Sequence, residues 1–125
     1  MRTWKVLIVD DDPSAILLLK SVLSQRGFEV LSFLQPSSAL EGLKTEKVDL
    51  VISDLKMPEM DGIRFMTLVK EMHPLTPVIL FTGNATLETA VSAMQRGAFD
   101  YLKKPYDVSK IHEVVVKALE SAESR

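Results

Sequence analysis

Cysteine is absent from this chain of 125 residues, which excludes disulfide bonds and thiolate metal sites. No apolar run approaches the roughly 18 residues of a membrane span, and the apolar run at residues 6–9 is too short for the core of a signal peptide. A net charge of −2 provides no polycation for nucleic acid or anionic lipid. These absences predict a cytoplasmic protein that contacts neither nucleic acid nor a membrane directly.

The size and composition are those of one ordinary globular domain. With 46% hydrophobic and 26% charged residues, the chain is long enough to bury a core. We predict one domain over residues 1–122. Residues 123–125 are expected to fray, and a linker to an output domain in a longer chain would begin there.

Short apolar runs alternate with helix-period segments five times. The period of the segment after the first run predicts an amphipathic helix, with Asp12 as its N-cap and Gly27 just past its end. A later helix carries Leu87, Ala90, Val91 and Met94, and we expect Met66, Met72 and Met94 to lie in or near the core. Five such units predict an α/β fold, a doubly wound parallel sheet with helices on both faces. The predicted strands are residues 6–9, 29–33, 50–53, 78–81 and 99–103.

Polar residues follow four of these apolar runs. Because the carboxyl ends of parallel strands meet at one edge of a sheet, we expect these residues to converge. Two carboxylates about 4 Å apart repel by roughly 4 kcal/mol at an effective dielectric near 20, so an acidic cluster should hold a proton or recruit a cation. Oxygen ligands favour Mg²⁺, which keeps waters that a substrate phosphate can replace. The residues are Asp10, Asp11, Asp54, Thr82 and Lys104.

This combination suits phosphoryl transfer. Asp54 could attack phosphorus as a nucleophile, Lys104 could pair with Asp54 and then with a phosphoryl oxygen, and the Thr82 hydroxyl could donate to another oxygen. Taken singly, each residue is more typical of a helix cap, a strand end or a solvated surface group. The complementary chemistry of four separate strand ends favours a shared site.

Four segments together resemble the receiver domain of two-component response regulators. They are residues 9–12 (VDDD), 54–62 (DLKMPEMDG), 81–83 (FTG) and 103–105 (KKP), and the resemblance covers nearly the whole chain. Residues 98–105 (AFDYLKKP) are especially similar to receivers of the NtrC-like class, which regulate transcription.

The resemblance implies a role for each matching residue. Asp54 would be the phosphoacceptor, and Lys104 would pair with the phosphate. The switch residues would be Thr82, by its hydroxyl, and the aromatic Tyr101. The Mg²⁺ ligands would be Asp10, Asp11, Asp54 and the backbone carbonyl of Lys56.

The resemblance also implies a fold and partners. The strand order would be 2-1-3-4-5, as in flavodoxin and CheY-like proteins, and the bond before Pro105 would be cis. The phosphoryl donor would be a phosphohistidine on a sensor histidine kinase or phosphotransfer protein. The response would involve a homodimer or an output domain, and the only reactions catalysed would be the domain's own phosphorylation and dephosphorylation.

Two alternatives remain open from the residues. The pattern Asp10-x-Asp12 also occurs in phosphatases of the haloacid dehalogenase type, where Asp10 would be the nucleophile, although Pro13-Ser14 replaces the expected Gly-Thr. The other alternative is an interaction module of the same fold that works without phosphorylation. Loss of a site residue would indicate such a module, and none is lost in this sequence.

Overall fold

The computed structural model describes residues 3–104 and 107–123, in which five strands alternate with five helices. The strands are Lys5–Val9 (β1), Glu29–Phe33 (β2), Leu50–Asp54 (β3), Val78–Thr82 (β4) and Asp100–Lys103 (β5). The helices are Pro13–Gln25 (α1), Pro36–Thr45 (α2), Gly62–Met72 (α3), Leu87–Gln95 (α4) and Val108–Glu123 (α5).

The five strands form one parallel sheet in the order β2-β1-β3-β4-β5. The register sets Val9 of β1 beside Ser53 of β3, and Asp54 of β3 beside Phe81 of β4. The carboxyl ends of the three central strands therefore lie next to one another. The predicted fold class and strand order are confirmed.

Alternate residues of the central strands bury against helices on opposite faces of the sheet. Leu7 and Val51 belong to a core layer with residues of α2, α3 and α4, where Phe65 of α3 is a large, fully buried side chain. Ile8 and Ile52 belong to the other layer, with residues of α1 and α5. Because both faces are covered, the strands are almost wholly apolar until their last residues.

The ends of α1 follow the sequence signals. The Asp12 carboxylate accepts the Ser14 N–H at 2.9 Å, and Pro13 occupies the first helical turn, where a missing N–H costs nothing. Gly27 lies just past the end with φ of +88°, in the left-handed region that favours glycine. These observations confirm the predicted N-cap and the predicted C-terminal end of α1.

Helix α4 differs from the expectation. Ala93 is buried, whereas Leu87, Val91 and Met94 are 82%, 46% and 48% exposed. Met72 of α3 is also exposed, so the predicted core position is confirmed for Met66 alone of the three methionines. Apolar residues occupy two faces of α4, and periodicity does not show which face meets the sheet. The face with the small Ala93 does so, and the larger residues remain at the surface.

Other predictions concern Pro105 and the C-terminal end of the chain. The expected cis bond before Pro105 lies outside the described residues, as do residues 124–125 of the expected frayed end. Glu123 belongs to α5. No helix within the described ranges has the length and apolar character needed to cross a membrane.

Candidate functional site

Asp10 is the first residue beyond β1 and remains part of the sheet. Its N–H donates to the Phe33 carbonyl at 3.1 Å, which holds the backbone against β2. Its carboxylate is buried, and Oδ1 accepts the Asp12 N–H at 2.9 Å. The same side chain therefore shapes the turn into α1 and contributes a carboxylate oxygen to this edge of the sheet.

Asp54 ends β3 in a buried setting fixed on two sides. Its Oδ1 accepts the Leu55 N–H at 2.9 Å, while the buried Ser53 hydroxyl donates to its backbone carbonyl at 2.8 Å. The loop that follows folds back because the Gly62 N–H donates to the Leu55 carbonyl at 2.6 Å. The first turn of α3 is thereby held against the Asp54 peptide.

The carboxylates of Asp10, Asp11 and Asp54 form one cluster. An oxygen of each lies within 4.8 Å of an oxygen of the other two. Asp10 and Asp54 are buried, but Asp11 is exposed, so the cluster opens to solvent on one side. Oxygen-only donors with an open side fit Mg²⁺, which takes a few carboxylates and keeps exchangeable waters.

Lys104 inserts its ammonium between two of the carboxylates. Its Nζ lies 2.8 Å from Asp10 Oδ2 and 3.6 Å from Asp54 Oδ1. Its N–H donates to the Thr82 carbonyl at 2.8 Å, so its backbone continues β5 alongside β4. The sequence predicted a pair with Asp54, whereas the closer partner of Lys104 is Asp10.

The electrostatics of the cluster disfavour charge on Asp54. Burial, followed by the negative charge of Asp10, raises the pKa of Asp54 to about 6, although Lys104 and the Leu55 N–H act in the opposite direction. Burial also opposes the charge on Lys104, but its hydrogen bond and ion pair with Asp10 outweigh that effect and raise the pKa of Lys104 above its usual value. Without a metal ion, one ammonium leaves the three carboxylates incompletely neutralised.

The other predicted residues lie at the end of β4, within β5 and in the loop after β3. Thr82 is buried at the end of β4, one residue beyond Phe81, which pairs with Asp54, and its Oγ1 accepts the Asn84 N–H at 3.1 Å. Tyr101 is half-buried, and its hydroxyl lies 2.5 Å from Thr89 Oγ1 in α4. Lys56 is exposed in the loop after β3, and the role of its carbonyl stays a prediction.

The sequence profile of the response regulator receiver domain matches residues 6–116 of this chain. The chain belongs to that family. A curated relative is the DNA-binding transcriptional regulator NtrC of Escherichia coli strain K12, which is 40% identical over 119 residues. That alignment includes 95% of this chain but 25% of NtrC, so the receiver spans about a quarter of the length of this relative.

Solved receiver structures share the fold. A CheY-like receiver domain protein from Methanospirillum hungatei superimposes with a TM-score of 0.94 at 28% identity, over 98% of both chains. The beryllofluoride-activated dimer of the NtrC4 receiver domain has a TM-score of 0.91 at 30% identity, over 94% of this chain and 98% of that one. The predicted resemblance to NtrC-like receivers is confirmed.

Three residues that contact Asp54 or Tyr101 were not identified from the sequence. Ser53 and Gly62 both contact the Asp54 backbone, and Thr89 contacts Tyr101. A hydroxyl inside an otherwise apolar strand could have indicated Ser53. The spacing Thr86-x-x-Thr89 before an apolar segment is close to a capping-box pattern and could have indicated Thr89. Nothing in the sequence indicates how closely Gly62 approaches the Asp54 carbonyl.

Proposed function

We propose that this receiver is a phosphorylation-controlled switch in the cytoplasm, and that Asp54 accepts a phosphoryl group from a phosphohistidine of a sensor kinase or phosphotransfer protein. The observation that carries the proposal is the cluster itself, in which three carboxylates lie within 4.8 Å and Lys104 reaches two of them. Mg²⁺ would be held by Asp10, Asp11, Asp54 and the Lys56 carbonyl. When bound, it neutralises the carboxylates and the incoming phosphate.

The chain's own residues account for the transfer. An Asp54 oxygen attacks phosphorus while the phosphorus–nitrogen bond to the donor imidazole breaks, and its electron pair leaves with that nitrogen. Lys104 then pairs with a phosphoryl oxygen, and Thr82 donates its hydroxyl to another. The same site would hydrolyse its own aspartyl phosphate, and no external substrate would be turned over.

Acetyl phosphate with Mg²⁺ tests the phosphoacceptor. Intact mass spectrometry should show an adduct of about 80 Da on the wild type and none on Asp54→Ala, since a single carboxylate forms the bond. The matched control is Asp12→Asn, which removes a neighbouring carboxylate but keeps a good N-cap for α1. This control should still be labelled.

Mapping the adduct separates the alternatives. Label on Asp10 would favour a phosphatase-like reaction, and absence of label would favour an interaction module that works without phosphorylation. Either result would contradict the proposed role of Asp54.

The response to phosphorylation would be a shift between two conformations. Moving an equilibrium from 1:99 to 99:1 requires about 5.5 kcal/mol. A few charge-assisted hydrogen bonds of roughly 1.5–3 kcal/mol each, from Lys104 and Thr82 to the phosphoryl group, would be enough. Thr82 would turn toward the phosphate, and Tyr101 would rotate into the space it leaves.

We propose that the face formed by α4, β5 and α5 transmits this shift, by dimerisation or by contact with an output domain. Its exposed apolar residues on α4, Leu87, Val91 and Met94, support a docking role. Light scattering should show a mass near twice the monomer with beryllofluoride and Mg²⁺, and the monomer mass without them.

Two single substitutions locate the surface. Leu87→Ser on α4 should keep the treated protein monomeric, because it removes exposed apolar area from the proposed interface. Leu17→Ser is the control: it removes another largely exposed leucine, on α1 at the opposite face of the sheet, and should not affect dimerisation. A wild type that stays monomeric after treatment, or equal effects of the two substitutions, would argue against the α4 face as a dimer interface.

A further inference from the structure

The hydroxyl of Thr89 joins the first turn of α4 to the side chain of Tyr101. Thr86 is the N-cap, and its Oγ1 accepts the Thr89 N–H at 3.1 Å. In return, Thr89 Oγ1 accepts the Thr86 N–H at 3.2 Å, which completes a reciprocal capping box. The same Thr89 oxygen lies 2.5 Å from the Tyr101 hydroxyl.

Three groups of Thr86 and the Tyr101 hydroxyl lie within hydrogen-bond distance of the Thr89 hydroxyl. A threonine hydroxyl has one proton and two lone pairs. The Thr86 N–H donates to Thr89 Oγ1, and the Thr86 carbonyl at 3.1 Å and Thr86 Oγ1 at 2.9 Å are further partners of the Thr89 hydroxyl. The Tyr101 hydroxyl is the nearest of the four partners, and either of the two oxygens can donate in that contact. Tyr101 therefore contacts the same hydroxyl that completes the cap of α4, and it is a member of that cap network.

The connection between β4 and α4 is held by hydroxyl groups at both ends. At its start, Thr82 Oγ1 accepts the Asn84 N–H, and at its end Thr89 Oγ1 accepts the Thr86 N–H. Tyr101 is bonded to the second of these groups. A displacement of Tyr101 therefore acts directly on the end of this connection that begins α4.

We propose that Thr89 is a positioning residue that holds Tyr101 in the unphosphorylated arrangement and makes the cap of α4 depend on it. This inference rests on the proposed function, in which Tyr101 moves when Thr82 turns toward the phosphoryl group. The bond to the Tyr101 hydroxyl fixes the position of Thr89 Oγ1 and thereby supports the bonds that this oxygen makes to Thr86. When Tyr101 withdraws, the first turn of α4 loses that support and opens more often.

Thermodynamic coupling makes the effect reciprocal. If the position of Tyr101 changes the stability of the α4 cap, then the cap changes the free energy of moving Tyr101 by the same amount. Removal of the Thr89 hydroxyl therefore weakens the unphosphorylated arrangement and favours the phosphorylated one.

Amide hydrogen exchange in the unphosphorylated protein tests the contact. Tyr101→Phe removes one hydroxyl and should speed exchange at the Thr89 and Ala90 amides, which bond to Thr86, about threefold or more. Amides of β3 should exchange as in the wild type. Thr89→Val should speed exchange at the same amides further, and Thr89→Ser, which keeps the hydroxyl, should restore slow exchange.

The double variant decides whether the two hydroxyls act together. With Thr89→Val present, adding Tyr101→Phe should change exchange no further, because the shared bond is already lost. Additive effects, or an unchanged rate in Tyr101→Phe alone, would overturn the proposal.

A titration with beryllofluoride and Mg²⁺ tests the link to the switch. Thr89→Val should lower the concentration for half-saturation about threefold, but should have no such effect in the Tyr101→Phe background. An equal effect in both backgrounds would overturn the coupling to the switch. If the wild type bound neither beryllofluoride nor phosphate, the proposed function would fail, and the exchange rates would still decide the contact between Thr89 and Tyr101.

Discussion

Asp54→Asn is expected to stabilise the metal-free protein by about 2 kcal/mol at pH 7.5, and the gain should shrink as the pH is lowered from 6 toward 4. Asparagine has the same shape, and its carbonyl can still accept the Leu55 N–H that Asp54 Oδ1 accepts. What it removes is a negative charge that is buried beside Asp10.

The sign of this pH dependence follows from proton binding. The pKa of Asp54 rises from its usual 3.8 to about 6 in the folded protein, so between these values the folded chain holds more protons than the unfolded chain. Stability from this group is therefore fully present below about pH 3.8 and is lost as the pH rises through about 6. Asparagine does not titrate, so its advantage appears only as the wild type becomes charged.

Urea unfolding in the presence of a chelator, at pH 4.5, 6.0 and 7.5, measures this dependence. The matched control is Glu71→Gln, which neutralises an exposed carboxylate on α3 and should change stability by less than about 0.5 kcal/mol at each pH. If Asp54→Asn were less stable than the wild type at pH 7.5, or equally stabilising at every pH, burial of the Asp54 charge would not be the cause.

Gly62→Ala is expected to destabilise the receiver by about 3 kcal/mol, which is at the upper end of the usual cost of overpacking. An added Cβ would lie 2.3 Å from the Asp54 carbonyl oxygen and 2.9 Å from Leu55 Cα. Both are backbone atoms, so no side-chain rotation relieves the clash. Either α3 or the end of β3 must move, and the 2.6 Å bond from the Gly62 N–H to the Leu55 carbonyl would be strained or lost.

Movement of the Asp54 peptide should also slow phosphorylation, because the Asp54 carboxylate would move away from Asp10 and the rest of the cluster. Urea unfolding and the rate of labelling by acetyl phosphate measure the two effects. Gly83→Ala is the matched stability control, because an added Cβ there meets no atom of the described residues within 4 Å. If Gly62→Ala were as stable as Gly83→Ala, the close approach of α3 to the Asp54 carbonyl would not matter for folding.

The elements of this receiver could be predicted wherever local chemistry is unambiguous. Glu29–Phe33 has the bounds expected from its pattern, and α1 begins at the predicted cap and ends before the predicted glycine. The exposed face of α4 could not be predicted, because its sequence offers apolar residues on two sides. Which side packs depends on how closely the helix approaches the sheet, and this is a property of the assembled layers.

The sequence alone determined which polar residues lie at this edge of the sheet, since acids, a hydroxyl and a lysine at the ends of apolar runs meet where parallel strands share an edge. Only the tertiary structure decided their partners. Lys104 lies nearest Asp10, Tyr101 bonds to Thr89, and Gly62 packs on the Asp54 carbonyl. The physical reason is that the end of an apolar run fixes the edge of the sheet at which a residue lies, whereas contacts of a few ångströms depend on register, burial and competing hydrogen bonds between segments far apart in the chain.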